Sequence, residues 1–248
     1  MTDISYQLYC SRNFPDLERQ AAMLAGIGYK NVEPFGGLFN DTAALKAALD
    51  RHGLKAPSAH IGAPMLREDF AGAVAKIKDL GVELMIVPAV PPAERVRDAA
   101  GWDALGRELA GWAHQAADQG LPFAWHNHAF EFARLPDGSM PFERILGEDP
   151  ALLWQADIAW VMRGGQDPIR WIERYAARVV SFHVKDIAPA GECADEDGWA
   201  DVGHGTMDWG KLLPVMRSTP ATLYTVEHDN PNDDARFARR AFATVSGW

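Results

Sequence analysis

Cysteine is nearly missing: Cys10 and Cys193 lie far apart in a chain of 248 residues. Neither a disulfide framework nor a Cys-type zinc site can be built from two such residues, and their scarcity suits a reducing cytosol. Long apolar runs are missing too. The longest are strand-sized, too short for a transmembrane helix. The opening stretch MTDISYQLYC has no basic n-region and no apolar h-region, so no signal peptide is expected and the expected location is cytoplasmic. Basic residues are outnumbered, with 24 Lys and Arg against 34 Asp and Glu, a net charge of −10 and a pI near 5.2. That balance argues against a nucleic-acid or anionic-membrane partner, since both need a basic surface. It leaves an anionic small molecule open, because a local basic pocket can exist on an acidic protein.

What is present is a large apolar fraction, 48%, with an ordinary 23% of charged residues. The length fits one (β/α)₈ barrel, for which about 250 residues is typical. Strand-like and helix-like segments alternate throughout. ISYQLYC, KNVEPF, KAPSAHIG, ELMIVPAV, PFAWHNH, LLWQADI, VVSFHVKDI and LYTVEHD read as strands. Between them lie helical patterns: roughly Pro15 to Ala25, DTAALKAALDRHG with Asp41 as N-cap and Gly53 as stop, and REDFAGAVAKIKDLG stopped by Gly81. Trp102 to Gln119, a short segment around Met140 to Leu146, DPIRWIERYAAR, MDWGKLLPVMRS and Asp233 to Val245 complete the set. Such units call for a parallel α/β sheet that closes into a barrel, one domain over residues 1–248. An open doubly wound sheet is the alternative, but no glycine-rich phosphate loop follows the first strand. The polar loop from Ala188 to about Thr206 is a candidate lid.

Four apolar runs in the second half end in residues that bind metals or move protons. They are FAWHNHAFEF (His126, His128, Glu131), LLWQADIAW (Asp157), VVSFHVKD (His183, Lys185, Asp186) and LYTVEHDN (Glu227, His228, Asp229). Strand C-termini of a parallel barrel meet in one mouth. Asp157, His183 and Glu227, with Glu131, make a set of three carboxylates and one imidazole. Hard oxygen ligands with one nitrogen favour Mn²⁺, Mg²⁺ or Co²⁺, with Zn²⁺ a further option, and leave room for substrate oxygens. Without a cation, three gathered carboxylates would repel one another. His126 and His128 compete with Glu131 for the ligand position on their segment. Glu33 and His60, ending strands two and three, would line the opposite wall, where ordinary strand-end hydrogen bonding is the competing role. His52 and His114 fall on helices and read as surface residues.

The segments HNHAFEF, ADIAW followed by GGQDPIRWIERYAARVVSFHVKD, GHGTMDW and VEHD resemble the sugar phosphate isomerase/epimerase family. Those are xylose-isomerase-like TIM barrels that also include inosose dehydratases, ketose epimerases, hydroxypyruvate isomerases and endonuclease IV. The resemblance runs through nearly the whole chain and is most specific from Phe123 to Asp229. It implies Glu131, Asp157, His183 and Glu227 as ligands of one divalent metal. Trp160 stands where ketose 3-epimerases usually carry a histidine, and WHNH stands in place of their glutamate-led fifth strand. Endonuclease IV needs more histidines and would favour a basic face. The segments lie closer to inosose-dehydratase-like and ketosugar-processing members.

The expected chemistry is isomerisation or epimerisation of a small sugar or sugar derivative through an enediolate. Glu131 or Glu227 would double as base, with His128 and Lys185 also catalytic. A salt bridge to a carboxylate such as Asp186 is the competing role for Lys185. Substrate contacts are expected from His126, Glu33, His60, Trp160 and Trp199, while Trp125, Trp154 and Trp171 read as packing. Trp209 and His204 belong to a turn resembling the family's GxGxxDW. A lyase acting on a keto-sugar, an inosose or a 3-keto-glycoside is the alternative, and a catalytically silent sugar-binding barrel a further one. The partner is a small-molecule sugar or cyclitol, with unphosphorylated substrate favoured and homo-oligomer formation left open.

Overall fold

The computed structural model describes residues 3–14, 16–95 and 97–248. Eight parallel strands form the sheet: β1 (Asp3–Gln7), β2 (Asn31–Glu33), β3 (Ser58–His60), β4 (Leu84–Val87), β5 (Phe123–His126), β6 (Leu153–Asp157), β7 (Val179–Val184) and β8 (Leu223–Val226). Their order is β2-β1-β8-β7-β6-β5-β4-β3. Between β2 and β3 the ladder thins to the isolated bridges Asn31–Lys55 and Phe35–His60, so the barrel is nearly closed. Helices fill the crossovers, as parallel strands require. They are α1 (Leu17–Ile27), α2 (Thr42–His52), α3 (Ala63–Asp79), α4 (Ala99–Ala117), α5 (Pro141–Gly147), α6 (Ile158–Arg163), α7 (Pro168–Tyr175), α8 (Trp209–Met216) and α9 (Asp234–Val245). None of the described helices is long and apolar enough to cross a membrane.

The sequence marks these helices by their caps. Asp41, Asp98 and Asp233 each accept a backbone N–H from the first turn of α2, α4 and α9, and Gly53 ends α2 at φ +64°. The Pro15 start expected for the first helix lies outside the described residues; Asp16 caps α1. One helix was not anticipated. Asp157 closes β6 and immediately caps α6, accepting the Trp160 N–H at 2.9 Å, so the strand turns into a helix with no loop between. The α3 helix carries a break at Asp69, where φ is −155°.

Period-two alternation divides the strands between two interiors. Met85, Val87, Phe123, Trp125 and Trp154 face the helices and join the main apolar core. Leu84, Ile86 and Ala124 face inward and, with Leu153 and Val180, plug the lower barrel. Above that plug the inward positions turn polar: Gln7 lies level with Glu33, Gln155 with Ser181 and Asp157 with His183. The inside of this barrel is therefore oil at one end and a fully buried polar network at the C-terminal end. Burying so many polar groups is tolerable only where each finds partners.

Candidate metal and substrate site at the barrel mouth

His126, Asp157, His183 and Glu227 stand at the ends of β5 and β6, within β7 and just past β8. Their ligand atoms all lie within 4.8 Å of one another, and all four residues are buried. A second group, His60 with His126 and His183, meets the same spacing. The set of four is the better cation site, because it brings two negative charges to the centre. Asp157 Oδ2 is buried without a hydrogen-bond partner, an orphan acceptor aimed into the group. Burial lifts the Asp157 carboxyl to about 7 despite Lys185 nearby. Two imidazoles and two carboxylates around such an acceptor fit a divalent ion of the Mn²⁺, Co²⁺ or Zn²⁺ kind.

Behind the four lies a hydrogen-bonded layer centred on Glu33. Its carboxylate accepts from Gln7 at 2.8 Å, Gln155 at 2.8 Å, Ser58, and the Nε2 of His183 at 2.6 Å. His60 Nε2 reaches Glu33 at 3.0 Å and Gln155 at 2.7 Å, and the His60 ring stacks on His183. Burial opposes the Glu33 charge, but His60 and His183 outweigh it and hold the carboxyl well below its usual range. For His183, burial again opposes the charge, while Glu227 (2.8 Å from Nδ1) and Glu33 raise the ring to about 10. Such carboxylates on both ring nitrogens fix the orientation of the His183 ring.

Lys185 is completely buried. Its Nζ lies 2.7 Å from Asp229, 3.0 Å from Glu227 and 3.6 Å from Asp157. It also sits 4.6 and 5.0 Å from the ring centres of Trp199 and Trp160. The expected ion pair thus exists, but not with Asp186. That carboxylate accepts from the backbone of Gly203 and Met207 and from Trp209 Nε1, fastening the GHGTMDW turn.

Glu131, expected among the ligands, is not brought into the group of four; His126 takes the place on β5. Glu131 is wholly buried, and its Oε2 accepts the His128 backbone N–H at 2.9 Å, closing the short turn after β5. Its Oε1 has no partner, and burial pushes its carboxyl well above the usual range. His128 does reach the mouth, half-buried, with its ring held neutral by burial at about 3. Trp160 and Trp199 pack edge to face at 4.7 Å, and Trp199 is only 1% exposed, so it is packing rather than contact surface. His204 is exposed on its turn, and His228 is buried against Phe237.

The loop after β7 is not a free lid. Asp186–Ile187 and Trp199–Ala200 pair antiparallel across it. Arg236 binds Glu196 and Asp201, Arg240 binds Asp201, and Asn232 binds Asp195. The loop is riveted to α9 and the segment before it, and no residue of it lines the cavity. The cavity itself holds about 410 Å³ above the cluster. Its wall includes Tyr9, Arg12, Phe35, His60, Arg95, His126, His128, Glu227 and Asp229.

Sequence reasoning missed Asn127, Gln155, Arg12 and Arg95. Asn127, the middle residue of HNH, donates to the Asp157 carbonyl and accepts from the Asp157 N–H and from Trp154 Nε1. Its position between two histidines was the available signal. Gln155, two residues before Asp157 on β6, was legible by alternation alone.

Comparison with known proteins places the fold. The family profile described as xylose isomerase-like TIM barrel matches residues 21–245. An inosose dehydratase of Geobacillus kaustophilus is 26% identical over 189 residues, covering 66% of this chain and 60% of that protein. The chain spans no more than about 60% of the length of the curated relatives it matches. Among solved structures, a sugar phosphate isomerase/epimerase from Parabacteroides distasonis superposes with a TM-score of 0.82 at 21% identity, over 98% of this chain and 93% of that one. The IOLI protein, crystallised with a zinc atom, gives 0.78 at 14% identity over 100% and 97%.

Proposed function

The chain belongs to the xylose isomerase-like TIM barrel family, and on that premise we propose that it is a divalent-metal-dependent isomerase or epimerase of a small sugar or cyclitol. The observation that carries this reading is the convergence of His126, Asp157, His183 and Glu227 within 4.8 Å beneath an open cavity. These four would hold the metal, and the zinc atom named for the IOLI protein, alike in fold, supports a metal in a barrel of this kind. The ion, when bound, supplies Lewis acidity toward a carbonyl and its neighbouring hydroxyl.

The remaining steps belong to the side chains. Glu33 and Gln155 orient His183, His60 and His126. His128, neutral and facing the cavity, would relay the proton between the α carbon and the adjacent carbon for isomerisation, whereas inversion at the α carbon would need a second proton carrier on the opposite face. Lys185 holds Glu227 and Asp229 in place and keeps their charge answered. Tyr9 and Phe35, edge to face at 5.2 Å, offer apolar surface to sugar C–H groups.

A lyase is the second reading, favoured by the likeness to an inosose dehydratase. One experiment tests both. Protein purified without chelators is analysed for metal, then incubated with ketoses and inososes in deuterated water. Deuterium entering the α position with conservation of mass otherwise supports the isomerase, whereas loss of water or an aglycone supports the lyase. A protein with no stoichiometric metal, unresponsive to added Mn²⁺ or Co²⁺, overturns both.

A further inference from the structure

Two guanidiniums line the cavity, Arg12 on the loop after β1 and Arg95 on the loop after β4. Neither forms an ion pair with a carboxylate among the described residues, in a chain where acidic residues outnumber basic ones by 34 to 24. The contrast with their neighbours is local. Glu94, adjacent to Arg95, is taken by Arg67 at 2.9 Å and Arg97 at 2.9 Å, and Arg95 is left out of that network. Arg95 spends only its Nε, on the Val90 carbonyl at 3.1 Å, and Arg12 spends only Nη1, on the Tyr9 carbonyl at 3.0 Å.

Both guanidiniums sit over aromatic faces, Arg12 at 3.9 Å from the Tyr9 ring centre and Arg95 at 4.4 Å from that of Phe130. Such cation–π contact holds each guanidinium in place while most of its N–H groups stay free, which suits oxyanion recognition. The cavity's other charges are already answered, because Lys185 binds both Glu227 and Asp229. Nor is this the usual barrel anion site, which forms from the loops after strands seven and eight and a helix N-terminus.

We infer that the substrate carries an oxyanion, a carboxylate or a phosphate, at the end remote from the four-residue cluster, and that Arg12 and Arg95 bind it. This rests on the site assignment above; a carboxylate would agree with the unphosphorylated substrate favoured from the sequence, and a phosphate would depart from it. The two residues set specificity; they take no part in proton transfer. An acidic surface repels anions in general, so two arginines lining the same mouth select the ligand that also reaches the cluster.

The test is calorimetric titration of metal-supplemented full-length protein with D-glucose 6-phosphate, D-gluconate and D-glucose. One of the two anions binds at least about tenfold tighter than D-glucose, the scale of a charge-assisted hydrogen bond. Preference for the first identifies phosphate and preference for the second carboxylate. Arg12→Gln and Arg95→Gln each lose most of that preference, leave D-glucose unaffected and leave the bound metal at the wild-type level. Equal affinities, or no measurable binding of either anion, overturns the inference, as does an equal loss in Arg239→Gln, an exposed arginine outside the cavity. Metal content measured on the same samples separates this failure from that of the site: absent metal sinks the cluster assignment, while the anion preference still reads the two arginines.

Discussion

Asn127 and Asp157 are tied in both directions. The Asn127 amide donates to the Asp157 carbonyl at 3.0 Å, and its oxygen accepts the Asp157 N–H at 3.1 Å. The same oxygen takes Trp154 Nε1 at 2.8 Å. One side chain thereby completes the edge of β6 where the ladder has ended, and sets the carboxylate that caps α6 at the height of the cluster.

Replacing Asn127 by Ala leaves three buried polar groups without partners. Each unsatisfied buried group costs about 1–3 kcal/mol, so the variant should lose at least that much stability in denaturant titrations. Metal affinity should fall about 10- to 100-fold, as for other loss of support behind a ligand. Wild-type metal affinity in a folded Asn127→Ala protein would show that Asp157 is held by its own helix cap instead.

His126 and Glu131 make opposite predictions. Only His126 lies in the group of four, so His126→Ala should lose stoichiometric metal, as should Asp157→Ala and His183→Ala. Glu131→Gln should keep it, because that carboxylate's one bond is to a backbone N–H in its own turn. Metal analysis after gel filtration decides between them. Retention by His126→Ala with loss in Glu131→Gln would restore the ligand set expected from family resemblance.

Much of this site was legible. Alternating strands and helices, ionisable residues at strand ends and the charge argument for a cation all follow from periodicity and residue type. Asp157, His183 and Glu227 do converge as expected. At the fourth position the structure brings His126 rather than Glu131 into the group, for a reason periodicity cannot reach. Within HNHAFEF both a histidine and a glutamate are near the strand end, and which one enters depends on where β5 stops. It stops at His126, and the turn of Ala129–Phe132 carries Glu131 back to its own backbone. The loop after β7 misled through composition: polar, glycine-containing sequence reads as mobile, but its acidic residues are ligands for Arg236 and Arg240. Arg12 and Arg95 gave no signal because arginine on a loop is ordinary until its carboxylates are counted.

Lys185 offers a prediction that separates support from charge. It is the one cation paired with both Glu227 and Asp229 among the described residues, His183 reaching Glu227 alone, and removing one partner of a buried pair costs about 3–5 kcal/mol. Lys185→Met should be destabilised by that order in the presence of a chelator. Saturating Mn²⁺ should recover part of the loss, since a bound ion stabilises the fold and answers the same carboxylates. Equal destabilisation with and without metal would mean that Lys185 and the ion do not share those charges.

Glu131 predicts how stability changes with pH. Burial raises its carboxyl well above the usual range in the folded protein, while the unfolded chain titrates near 4.3. Between those two values the folded state binds the extra proton, so folding is favoured at low pH and this contribution is lost as pH rises from about 4.3 through the raised folded value. The slope from one such group is at most about 1.4 kcal/mol per pH unit. Glu131→Gln keeps the shape and the acceptor for the His128 N–H but has no proton to lose. Its stability relative to wild type should therefore climb with pH across that window, read from urea midpoints at several pH values. A difference that stays constant with pH would mean Glu131 is ionised in the fold, with Arg95 or an unseen cation answering its charge, and would return it to the list of metal ligands.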